Sequence, residues 1–174
     1  MKNLRKYRSS LLLGIFLFLS ACGFSLRSSD TLSSAYSNLN FFSQQPASEL
    51  SRLILRSLES SGVDVQLLDS VEADTEQLTL IVSGEQIISR PITVNPRARA
   101  AQHELRLEME IALGRDKQYL ISPETLFVER VYFEDIENIS GNQEEVEIIT
   151  SEMRRELGNQ LIRRLSAVGE QVGL

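Results

Sequence analysis

From Leu105 to Leu113 the chain alternates without a break: Leu105, Leu107, Met109, Ile111 and Leu113 are separated by Arg106, Glu108, Glu110 and Ala112. A period of two sends successive side chains to opposite faces, so the segment is predicted as a half-buried antiparallel strand with one face on a core. Wound as a helix, it would scatter the same five apolar groups around the whole circumference. Gly114-Arg115-Asp116-Lys117 then carries turn residues, and Leu126 to Phe133, beyond Pro123, is predicted as the last strand. Upstream, Leu78, Leu80 and Val82 share one face of another strand, and Gly84 is expected to mark a bulge before Ile87 and Ile88.

Two segments switch to helical spacing. Pro46 is placed in a first turn, Leu50, Leu53, Ile54 and Leu58 form the stripe, and Gly62 ends it; Val63, Val65 and Leu67 follow as a short strand. Near the carboxyl terminus, Asn142 is read as a cap with Glu145 three residues on. Val146, Ile149, Met153, Leu157, Leu161 and Leu165 then draw one apolar stripe. Residues 28 to 45, rich in Ser, Asn and Gln, read as a tether leading into one short strand. The expected fold is α+β: a two-layer sandwich with two helices packed on one face of a small mixed, mostly antiparallel sheet of four to five strands.

The last strand breaks the rule of one apolar face. Leu126, Val128 and Tyr132 point one way, while Phe127, Val131 and Phe133 point the other. Something must cover that second set: a partner protein or acyl ligand, or else the chain's own loops or tether. Phe127, Val131 and Phe133 are therefore the candidate partner-facing residues.

The amino terminus is organised for export. Lys2, Arg5, Lys6 and Arg8 precede an apolar run, Leu11 to Leu19, far short of the roughly 20 residues of a spanning helix. Leu19-Ser20-Ala21-Cys22 looks like a bacterial lipobox, and Cys22 is the chain's single cysteine, which excludes an intrachain disulfide. A lipidated Cys22 would hold the protein at a membrane surface; the plainer alternative is an ordinary signal segment with a stray thiol. Gly23 rather than Asp follows the cysteine, which resembles the outer-membrane sorting pattern. Without residues 1–21, 14 Lys and Arg face 24 Asp and Glu, a formal charge of −10. So acidic a surface argues against nucleic acid, whose binding relies on clustered cations.

Catalytic chemistry finds no foothold. There is one His, no pair at metal-ligand spacing, no nucleophile elbow and no phosphate loop, so neither a metal nor a cofactor is expected. His103 reads as a surface or hydrogen-bonded histidine. One charge pattern stands out: Gln86 through His103 lacks Asp and Glu yet carries Arg90, Arg97 and Arg99 around a predicted hairpin end. Guanidinium forks suit phosphate oxygens, so the three are candidate contacts for an anionic lipid headgroup. Taken alone, the pattern favours the plainer alternative, solubilising charges or partners of the acidic segment Glu124 to Glu156.

Cys22-Gly23-Phe24-Ser25-Leu26-Arg27 resembles the lipidated start of the LptE family of outer-membrane lipopolysaccharide-assembly lipoproteins. Tyr132-Phe133-Glu134 and the ending Glu152-Met153-Arg154-Arg155-Glu156-Leu157, continuing through Gln160-Leu161 to Arg163-Arg164-Leu165, are similar to that family too. The resemblance implies a lipoprotein signal over 1–21, a lipidated tether over 22–31, an α+β domain over 32–168 and a short tail over 169–174. It implies no catalysis, a seat inside the LptD β-barrel as plug and assembly partner, and lipopolysaccharide contact toward the hairpin end, nearest Arg97 and Arg99. It further implies a lipid anchor on the periplasmic side of the outer membrane.

Overall fold

The alternating segment is the spine of the fold. The computed structural model describes residues 29–71, 76–94, 100–116, 118–134 and 139–172. In chain order the elements are α1 (Ser29–Ala35), β1 (Asn38–Ser43), α2 (Glu49–Ser60), β2 (Asp64–Leu68), β3 (Thr79–Val82), β4 (Gln86–Val94), β5 (Ala100–Arg115), β6 (Gln118–Phe133) and α3 (Ile139–Val172). β6 pairs antiparallel along one side of β5. On the other side β3 and β4 follow one another, both antiparallel to β5, while β1 lies parallel between β2 and β3. The sheet is thus mixed, with six strands rather than four to five. One end is broad, and the other is a three-stranded extension of β4, β5 and β6.

The junction of β3 and β4 is the bulge expected at Gly84. Val82 pairs with Ile111 and Gln86 with Glu108, so three residues on one strand face two on β5. Ser83 bridges the gap: its N–H donates to the Glu110 carbonyl (2.9 Å), and its hydroxyl accepts from the Glu110 N–H (2.8 Å).

The helices follow their apolar stripes. Leu50, Ile54 and Leu58 of α2, and Met153, Leu157, Leu161, Leu165 and Val168 of α3, are buried against Leu105, Leu107, Met109, Ile111 and Leu113 in one core. α2 ends as its sequence requires: Gly62 adopts φ +79°, its N–H reaches the Glu59 carbonyl (3.0 Å), and the Val63 N–H reaches that of Leu58 (3.3 Å). α3 spans 34 residues, about 51 Å at 1.5 Å per residue. Arg154 of α3 ties three elements together, bonding Glu85 in the bulge (2.9 Å) and Glu49 at the start of α2 (3.0 Å). The hydrogen bond it donates to Glu85 is the main reason its pKa lies above the usual guanidinium value.

Four expectations need correction. The Ser-rich segment is not a tether throughout, since Ser29–Ala35 is helical. Leu32 and Tyr36 are buried, the Tyr36 hydroxyl donates to the Leu165 carbonyl (2.9 Å), and burial raises its pKa. Gly169 admits this helix, because a Cβ there would come 2.6 Å from Ala35 Cβ. Pro46 lies in a turn ahead of α2, whose cap is Ser48, the hydroxyl accepting from the Ser51 N–H at 3.1 Å. Asn142 is inside α3, which begins at Ile139; once a long helix exists, extending it by a turn adds a hydrogen bond per residue. Finally, β6 continues through Pro123 back to Gln118, because Pro123 falls at a register shift on an edge strand, where no ladder N–H is needed.

Candidate functional site

The described helices leave the opposite sheet face of the three-stranded extension open. Strand parity sends Phe127, Val131 and Phe133 there, where they are 44%, 51% and 67% exposed. Their neighbours on β5 in register are Glu108, Glu104 and Gln102. Among the described residues all three stay substantially exposed, although a guanidinium lies over the Phe127 ring. Ile88 on β4, opposite Arg106, adds a fourth exposed apolar group.

Between these groups runs a row of ion pairs. Arg106 donates to Glu108 and Glu129, each at 2.7 Å, and its guanidinium lies 3.8 Å from the centroid of the Phe127 ring. The hydrogen bonds it donates, to Glu108 first and then to Glu129, raise its pKa. One cation against two carboxylates leaves this trio at a formal −1. The parity of β5 put Arg106 on the same face as Phe127, but its stacking on that ring depends on cross-strand register and was not read from the sequence.

Arg90, one of the three candidate headgroup contacts, sits on this face and bonds Glu104 at 2.6 Å, with its side chain still 65% exposed. Arg97 and Arg99 lie outside the described residues, as does Cys22. The lone histidine is occupied: His103 stacks on Tyr132 (centroids 5.4 Å apart), and its Nε2 is 3.0 Å from Glu134. Among the described residues no three of His, Cys, Asp and Glu gather as a metal site, and no helix is long and apolar enough to cross a membrane. At the far, broad end a cleft of about 290 Å³ opens between α2 and the ends of β1 and β2, lined by Phe42, Leu55, Leu67 and Leu68 among others.

The open face therefore presents exposed apolar groups around paired charges. Comparison with known proteins agrees on the architecture. The LptE family profile, described as lipopolysaccharide-assembly, matches residues 37–165. The LPS-assembly lipoprotein LptE of Yersinia pestis (strain Pestoides F) is 29% identical over 161 residues, covering 91% of this chain and 75% of that protein. The Yersinia pseudotuberculosis serotype O:1b protein of the same name gives the same figures. Among solved structures, rare lipoprotein B from Shewanella oneidensis superposes with a TM-score of 0.66 at 18% identity, covering 79% of this chain and 99% of that one. Lipoprotein B from Nitrosomonas europaea gives 0.63 at 17% identity, covering 83% and 91%. At such identities the structural likeness speaks for the fold, and the profile over most of the domain speaks for descent: the chain belongs to the LptE family of lipopolysaccharide-assembly proteins.

Proposed function

We propose that this protein is a non-enzymatic outer-membrane lipoprotein, anchored on the periplasmic side through Cys22, that plugs the LptD β-barrel, assists its assembly and takes part in moving lipopolysaccharide to the outer leaflet. The observation that carries this reading is the open sheet face: Phe127, Val131 and Phe133 are exposed on a strand whose other face packs Leu126, Val128 and Tyr132 against the core. Apolar groups so placed mark an interaction site. Family membership supplies the pathway, and the lipobox supplies the anchor. Extraction of the full-length lipidated protein in mild detergent, followed by affinity capture, should bring a large β-barrel with it. A monodisperse monomer in native outer-membrane extracts would count heavily against the proposal.

The second reading, a free-standing lipid carrier or sensor, has one observation in its favour, the apolar cleft beside α2. Its volume of about 290 Å³ sits at the lower edge of ligand pockets, roughly 300 to 1,000 Å³. A lipid-bound structure with acyl chains inside the fold would favour it.

Lipopolysaccharide contact is assigned to the hairpin end. Replacing Arg97 and Arg99 together with Glu should weaken binding of purified lipopolysaccharide by about tenfold or more while leaving the circular dichroism spectrum unchanged, as expected when charge-assisted contacts are inverted. Unchanged affinity would return Arg90, Arg97 and Arg99 to the role of solubilising charge.

A further inference from the structure

Among the described residues the sheet has three outer edges, and hydrogen-bond parity separates them. Glu110 of β5 exchanges bonds with Ser83, so its N–H and carbonyl point toward β3 and β4. Its odd-numbered neighbours from Leu105 to Ile111 therefore point toward β6, and their register partners Arg130, Val128, Leu126 and Glu124 bond back. The alternate residues of β6, namely Thr125, Phe127, Glu129, Val131 and Phe133, turn their backbone groups outward, with their side chains on the open face.

The other two edges are poorer. The same parity on β4 turns Ile87, Ser89 and Pro91 outward, and Pro91 has no N–H to offer. β2 is only five residues long. On β6, by contrast, Pro123 lies outside the stretch from Thr125 to Phe133. A long unpaired edge flanked by exposed Phe and Val side chains normally invites association unless it is guarded. One guard is visible: the Arg130 guanidinium donates to the outward Glu129 carbonyl at 2.9 Å, while also pairing with Glu156 of α3.

We propose that the edge of β6 from Thr125 to Phe133 takes up one further extended strand from a partner protein, with apolar side chains opposite Phe127 and Val131 and a basic residue opposite Glu129. Backbone pairing supplies the affinity and the side chains supply the specificity, as in other strand-addition complexes. The basic residue follows from charge: Arg106 neutralises only one of the two carboxylates it bonds. The same charge argues against a second copy of this chain. Antiparallel self-pairing centred on this edge places Glu129 against its own copy, and like charges directly opposite are unfavourable. The inference goes beyond the barrel-plug reading, since it holds for any partner that supplies such a strand.

The test uses the full-length lipidated protein in detergent micelles, isotope-labelled for residue-resolved amide exchange. The probe is a synthetic peptide of about nine residues, enough to span the edge, with Val at alternate positions, Thr between them and Lys at the centre. Binding should slow exchange at Phe127, Glu129, Val131 and Phe133 by at least about tenfold, as expected for newly paired N–H groups, and leave Val128 and Arg130 unchanged. Val131→Pro removes one outward donor and should abolish the effect. Arg130→Ala releases the Glu129 carbonyl and should tighten binding by about three- to tenfold, the worth of one hydrogen bond. This gain cannot come from a misfolded protein. Absence of protection, equal protection on β2 and β4, equal binding of a peptide with Glu in place of Lys, or the same protection arising from concentration-dependent dimerisation would each overturn the proposal.

Discussion

β5 and β6 each run through two different environments. At the broad end Ile111, Leu113 and Ile121 lie in a core under α3, and Arg164 of that helix reaches down to Glu124 at 2.6 Å. Toward the extension the helix-side face is still lined by Leu105, Leu107 and Val128, while the other face, which at the broad end carries Glu110, Ala112 and a single exposed aromatic, Tyr119, gathers Phe127, Val131 and Phe133. One pair of strands thus carries a folding surface on one side along its length and, on the other, a cluster of exposed apolar groups near one end, the proposed docking surface. Substitutions can therefore separate stability from assembly, and the separation is testable.

The largest effect is expected in the sealed region. Leu157 is fully buried in the middle of α3, facing the strands. Leu157→Ala should cost about 2–5 kcal/mol, the range for a core Leu that leaves a cavity, measured by chemical denaturation with the slope unchanged. A cost below about 1 kcal/mol would mean that α3 is not seated on the sheet as described.

An intermediate effect is expected at the join between α1 and α3. The Tyr36 hydroxyl bonds the Leu165 carbonyl in a buried setting. Tyr36→Phe should cost about 1 kcal/mol, the usual net worth of such a bond. It should also change the alkaline behaviour. Burial raises the Tyr36 pKa in the folded state, so the unfolded chain releases its phenolic proton first as pH rises above about 10. Tyr36 thus helps hold the fold at neutral pH, and that help is lost progressively as pH climbs through the folded value. The slope of stability against pH above about 10 should be shallower in the Phe variant; an identical slope would place the phenol in water.

The same two regions explain what could be read from the sequence. Period-two alternation made β5 legible, and the stripe from Val146 to Leu165 made α3 legible, because each pattern reports a face buried by its own element. The exposed set Phe127, Val131 and Phe133 was legible for the same reason. α1 was not, since its composition is that of a tether and what orders it is a bond from Tyr36 to a residue 129 positions away, made possible by the missing side chain at Gly169. Nor was the start of α3, where Asn142 reads as a cap although the helix already begins at Ile139. The pairing of Arg90 with Glu104 depends on the β4–β5 register, which the bulge at Ser83 to Glu85 sets, and the stacking of Arg106 on Phe127 depends on the β5–β6 register, which the shifts between Ile111 and Gly114 set. Local periodicity carries no information about such an offset.

The smallest effect on stability should accompany the largest effect on assembly. Val131 and Phe133 are more than half exposed, so replacing both with Ser removes little apolar area that folding had buried. The change in unfolding free energy should stay within about 0.5 kcal/mol per site, as for most surface substitutions. Copurification of the β-barrel, by contrast, should fall by about tenfold or more, since an aromatic anchor desolvated in an interface is typically worth upwards of 1 to 2 kcal/mol. Phe127 is left in place because its ring carries Arg106, and losing it would disturb the ion-pair row as well. If the double variant unfolds at markedly lower denaturant, the open face belongs to the core. If it is as stable as the parent and still retains the barrel in full, docking uses some other surface, and the contrast between the two ends of the sheet has no functional meaning.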